Sequence, residues 1–260
     1  MKRILTILTV LAVSYTATAQ LKTFKQKIAG NTEETTLVIE NLFADLVIEG
    51  SSTGELLIET DDYEGIPEKA KGLRPLSATG PENTGVGLSV TTSGGEISVS
   101  AASGSANDGT YIFKVPKNLK VRADLKSWQG GDIVIRNMAN EVEVKSMNGD
   151  LRFEDVTGPL VANSISSDIE VVFTNLSQSS PTSLSSTSGD IDVTLPATTR
   201  GNFKMGSISG EIYTDLDFDF ENDKDLQRVG GDMSANATLN GGGVEVSLKC
   251  ISGNVYIRKK

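Results

Sequence analysis

The chain has no histidine and a single cysteine, Cys250. Without histidine there is no Ser-His-Asp or Cys-His catalysis, and no His-ligated metal site. One cysteine forms neither an internal disulfide nor a thiolate cluster. Aromatic residues make up 5% of the chain and Trp128 is the one tryptophan, which is little for a sugar cleft built on aromatic platforms. After residue 13 no apolar run is long enough to cross a bilayer as a helix. Basic residues are outnumbered, 24 against 34 acids. An acidic surface argues against nucleic acid and anionic membranes, and is compatible with cations, basic proteins or plain solubility. Carboxylates, Lys, Tyr, Ser and Thr are what remains for chemistry.

The N-terminus reads as a secretory signal peptide over residues 1–19. Lys2 and Arg3 form the positive start, Ile4 to Val13 the apolar stretch, and Ala17-Thr18-Ala19 the small-residue cleavage site. The stretch is too short for a membrane span, and no cysteine follows the cleavage site to carry a lipid. The expected mature chain runs over 20–260, carries 22 Lys and Arg against 34 acids, and has a net charge of −12. Its expected location is extracytoplasmic, in the periplasm or at the cell surface.

What the sequence does have is a repeated phrase: SMNGDLRF at 146–153, SISSDIEV at 164–171, STSGDIDV at 186–193, SISGEIYT at 207–214 and CISGNVYI at 250–257. The first apolar residues of successive runs, Ile133, Val142, Leu151, Leu160 and Ile169, stand nine apart. The acid-glycine phrase marks every second one, continuing to Ile191 and Ile212. Within each run apolar and polar residues alternate, which is the period of a strand with one buried face. Such short strands cannot bury that face alone, and stacking successive units can. The expected fold is an all-β, single-domain parallel β-solenoid, β-helix-like, with about 20 residues and two short strands per coil. Similar runs at Leu37-Ile39, Leu46-Ile48, Leu56-Ile58, Leu88-Val90, Ile97-Val99, Tyr111-Phe113 and Leu119-Val121 extend it towards the N-terminus.

Two insertions interrupt the array. In residues 61–87, Pro67 precedes and Gly72 follows EKAK, which predicts a short helical loop near 66–72. Residues 215–243 are expected to cover an end of the stack.

At the corners the phrase supplies a glycine for φ > 0, as at Gly210, and a Ser and an acid to bond local backbone; Ser167 replaces the glycine in the 164–171 copy, so that corner tolerates a side chain or bends differently. Stacking predicts one column of glycines and one of acids: Asp132, Asp150, Asp168, Asp190 and Glu211. The acids fit turn capping better than a cation site, because the calcium-binding nonapeptide repeat is absent. Asp215, Asp217, Asp219, Glu221, Asp223 and Asp225 share one parity and predict an acidic strand face. The calcium-loop match fails where Phe220 replaces the required glycine. Asp190 and Asp192 are the pair that a carbohydrate-active enzyme would use. Trp128 is expected to pack at a corner, and Cys250 to be a small buried member of the serine column. No residue is assigned a catalytic, cofactor-binding or metal-binding role.

The SGDI-type corners at 149–151, 188–191 and 209–212, LNGGGVEV at 239–246, ISGNVYIRKK at 251–260, and the segments AKGLRPL, ENTGVGLSV and YIFKVPKNLKV carry a family resemblance. The chain resembles the bacterial "putative adhesin" domain family, exported β-solenoid proteins of Bacteroidetes type whose function is unknown. The resemblance covers the whole mature chain and implies a parallel β-helix-like fold and an envelope or surface location. It supplies no catalytic or binding motif. The expected function is a non-enzymatic interaction or structural protein of the cell envelope, contacting an envelope protein, a surface glycan or a second copy of itself. A carbohydrate-active β-helix enzyme and a calcium-responsive surface module are the alternatives.

Overall fold

The computed structural model describes residues 21–260, apart from residues 62, 66, 74, 75, 108, 221–225, 230 and 231. The expected signal peptide, residues 1–19, lies outside the described residues. The chain enters through β1 (Lys22–Lys27), β2 (Thr36–Glu40), β3 (Asp45–Ser51) and β4 (Glu55–Thr60). After the first insertion come β5 (Leu88–Ser93), β6 (Glu96–Ala101), β7 (Thr110–Pro116) and β8 (Lys120–Leu125). The regular array is β9 (Ile133–Arg136), β10 (Val142–Ser146), β11 (Leu151–Val156), β12 (Leu160–Ser164), β13 (Ile169–Phe173), β14 (Thr182–Ser188) and β15 (Ile191–Leu195). It continues through β16 (Gly201–Ser207), β17 (Ile212–Thr214), β18 (Leu226–Val229), β19 (Asp232–Leu239), β20 (Glu245–Ser252) and β21 (Val255–Lys259).

From β6 to β17 alternate strands go to opposite sheets, one of ten strands and one of eleven. This is the two-strand coil that the nine-residue step predicts. Ile133, Leu151, Ile169 and Ile191 stack in parallel register in one sheet, and Val142 on Leu160 in the other. Their inward faces form one continuous core, with Phe153, Val171, Val193 and Leu184 fully buried between the sheets. Each such side chain contributes about 1.5–3 kcal/mol by leaving water. Outward positions form cross-strand ion pairs such as Arg152 with Glu170 at 3.0 Å and Arg122 with Glu143 at 3.2 Å.

The coil order departs from chain order at both ends. Ile191 is followed in the stack by Val255, and Ile212 lies beyond it. The last coil, β20–β21, is thus inserted between β14–β15 and β16–β17. The first coil, β2–β3, is likewise inserted between β6–β7 and β8–β9. Three of the four sheet ends are closed by antiparallel strands: β4 and β1 on β7, β5 on β6, and β19 and β18 on β16. Residues 215–243 therefore supply a hairpin at one edge of the eleven-stranded sheet. In the first insertion, Pro67 opens a single 3-10 turn over Glu68–Ala70, and Gly72 follows it at φ +83.

Gly210 corrects the expectation of a positive φ, because it lies outside the left-handed region. Its glycine is required by proximity: a Cβ there would run into the carbonyl of Gly253 in the neighbouring coil. Gly149 needs both, with φ +86 and the Gly131 carbonyl directly in the path of a Cβ.

Candidate functional surface

The acid column exists, and its geometry is a ladder. The Asp45 carboxylate accepts the Asp132 N–H at 2.9 Å, and Asp132 accepts the Asp150 N–H at 2.8 Å. Asp150 accepts from Asp168 at 3.3 Å, Asp168 from Asp190 at 2.8 Å, and Asp190 from Asn254 at 2.7 Å. Asn254 in turn accepts the Glu211 N–H at 3.0 Å. Asp45, Asp132, Asp150, Asp168 and Asp190 therefore each bind a backbone donor one coil away, and Glu211 joins the ladder through its own N–H. That is the turn-capping role read from the phrase, extended between coils. Among the described residues no three His, Cys, Asp or Glu side chains are grouped to hold a metal.

The other sequence candidates separate. Asp192 is held by Arg258, with Nε at 2.9 Å and Nη2 at 2.8 Å, while Asp190 is engaged with the Asn254 backbone. The two carboxylates thus have different partners. Asp215 accepts the Lys259 N–H at 2.7 Å. Residues 215–220 form no strand, only a bridge between Asp219 and Thr238, which corrects the expected acidic strand. The residues break off because Leu216 turns into the core and Phe218 packs edge-on against Phe203, centroids 5.0 Å apart. Glu221, Asp223 and Asp225 lie outside the described residues.

Cys250 occupies the serine column, flanked in register by Ser186 and Ser207, and is buried. Burial, reinforced by the charges of Asp190 and Asp168, pushes its thiol up to about 11. Trp128 is not packed: it is 75% exposed. Its corner holds three more residues between the column position and the glycine than SMNG does, so the loop bulges into solvent.

Two outward features were missed. Met147, Ile165, Ile251 and Ile208 occupy the second position of the corner phrase and are all exposed. The repeat of an apolar residue at that position was the signal. On the other sheet, Tyr213 stacks on Tyr256, with centroids 5.3 Å apart and planes within 13°. The Arg258 guanidinium lies 5.4 Å from the Tyr256 ring, and Asn254 donates to the Tyr256 hydroxyl at 3.1 Å. The YT and YI endings of two corner phrases carried that signal, but only strand order brings them together.

No curated protein matches the sequence. The solved structures it resembles include a putative cell adhesion protein from Clostridium sporogenes, at 11% identity and TM-score 0.45, covering 93% of this chain and 100% of that one. They also include a putative adhesin from Bacteroides fragilis, at 12% identity and TM-score 0.37, covering 94% and 98%. The family model for Toastrack DUF4097 matches residues 66–258, from the first insertion through the last strand. The resemblance read from the corner phrases is thereby borne out, and the chain belongs to the Toastrack DUF4097 family.

Proposed function

We propose that this chain is an exported, non-catalytic interaction protein of the bacterial cell envelope. The observation that carries the reading is the stack of exposed Tyr213 on half-buried Tyr256, fixed beside the Arg258–Asp192 pair on the ten-stranded sheet. Tyrosine offers a large contact area for little conformational entropy, and Arg is a frequent anchor at interfaces. The signal-like N-terminus supports export, and the engagement of Asp190 and Asp192 supports a binding rather than a hydrolytic role. The partner is a surface glycan or an envelope protein.

The test is retention of envelope components by purified 20–260, with and without Ca²⁺, compared with Tyr213→Ala and Tyr256→Ala. Specific retention lost in both variants supports the reading. Retention indifferent to both tyrosines, or none at all, removes it. Retention that requires Ca²⁺ moves the function to a cation-responsive module.

A further inference from the structure

Gly206 is the sixth of the seven residues of β16 and is paired on both sides, a position where a glycine weakens a strand and often marks the close approach of another group. The fold does not demand it. Its φ is outside the left-handed region, and a Cβ there would meet its nearest neighbour, the Met233 carbonyl oxygen, at an ordinary 3.6 Å. This separates it from Gly210, four residues on, which the neighbouring coil requires. The missing side chain opens the floor of a cleft of about 560 Å³ on the outer face of the eleven-stranded sheet. That volume lies within the range of small-ligand sites.

The register defines the walls. Lys249 stands beside Gly206 on one side and Ser234 on the other. Ile208 and Ile251, 51% and 48% exposed, close one end. Lys204 lines the opposite end and is neutralised by Glu245 at 2.7 Å. Lys249 has no ion-pair partner among the described residues. In a protein of net negative charge, this cleft joins an apolar wall to a cation that no described residue pairs with.

We infer that the cleft around Gly206 binds a small aliphatic carboxylate. The alkyl chain lies over Gly206 against Ile208 and Ile251, and the carboxylate pairs with the Lys249 ammonium. A neutral or cationic head lacks that partner. The inference does not rest on the envelope role proposed above.

Calorimetric titration of chain 20–260 with decanoate tests it, with decanol and decylammonium as head-group controls. Decanoate is expected to bind at least about tenfold more tightly than either control. Lys249→Gln should weaken decanoate about tenfold and Lys249→Arg should restore it. Gly206→Leu should abolish binding by filling the floor, with the melting temperature reporting that the fold is intact. If Leu disturbs the fold, Gly206→Ala gives the smaller version of the same loss. No binding up to about 1 mM overturns the inference, as does equal binding of the three heads. So does undiminished decanoate affinity in a folded Gly206 variant. Binding of decanoate with no envelope partner retained would uphold the cleft while removing the envelope role, so the two readings fail separately.

Discussion

Gly206 and Gly210 show how little a residue type says without its surroundings. Gly210→Ala forces a Cβ into the Gly253 backbone and is expected to cost about 1–3 kcal/mol. Gly206→Ala makes only an ordinary contact with the Met233 carbonyl and removes backbone entropy from the unfolded chain, so it should be neutral or stabilise by about 0.5–1 kcal/mol. Urea denaturation of the two variants checks the pair, and equal losses would refute the distinction. The acid ladder admits a similar contrast. Asp168→Ala deprives the Asp190 N–H of its acceptor and should cost about 1 kcal/mol. Asp168→Asn keeps an acceptor and removes one of several like charges stacked at about 4.8 Å, so it should cost less. Asn254 already serves as such an acceptor in the ladder, for the Glu211 N–H. Cys250 gives a pH dependence. Its thiol is raised from 9.0 to about 11, so between these values the folded state holds a proton that the unfolded state releases. The stability it contributes is complete below about pH 9 and is lost as pH rises towards 11. The drop in melting temperature from about pH 8 to pH 10.5 should therefore be smaller in Cys250→Ser, whose hydroxyl does not titrate there. An identical drop in both proteins would assign the alkaline loss to other groups.

Among the elements, position in the sheet decides importance more than position in the chain. β21 is the last strand in sequence, yet β15 and β17 flank it. Ending the chain at Ser252 removes an internal strand and should abolish cooperative unfolding and expose apolar surface to a hydrophobic dye. Removing residues 21–27 deletes β1, which pairs only with β4 at the sheet edge. That variant should stay folded with a lowered melting temperature. The strands themselves were legible in the sequence, because alternation at Leu151-Phe153 or Ile191-Val193 has one physical meaning. Coil order was not. Ile212 and Val255 carry nearly the same corner phrase, and parallel pairing on Ile191 satisfies either equally well. β19 was read as insertion because its inward residues, Ala235 and Ala237, are too small to announce a buried face. The ladder acids were visible as a column, but their donors were not, since each bond joins residues about 20 or more positions apart. The cleft was invisible for a related reason: its walls come from β14, β16, β19 and β20, which only the rearranged order makes neighbours.

At the scale of the whole molecule, inserting both terminal coils changes how a repeat fold should open. In a stack that follows chain order, the first and last coils each have one neighbour and fray before the middle. Here β2–β3 and β20–β21 have coils on both sides, and the exposed edges fall to β1, β5, β17 and β18. Each of those edges is a protective device: β17 is three residues long, β1 carries three lysines, and the others are hairpin strands. Withdrawing either terminal segment must break pairing on two sides at once, which couples the ends to the core. Native-state hydrogen exchange should therefore find Val246 and Leu248 of β20, and Leu37 and Ile39 of β2, protected as strongly as Val171 of β13. The amides of β1 and β18 should exchange first. Early exchange at Leu248 and Leu37 would mean that the ends open independently, as in a simple solenoid, and that the inserted coils confer no added cooperativity.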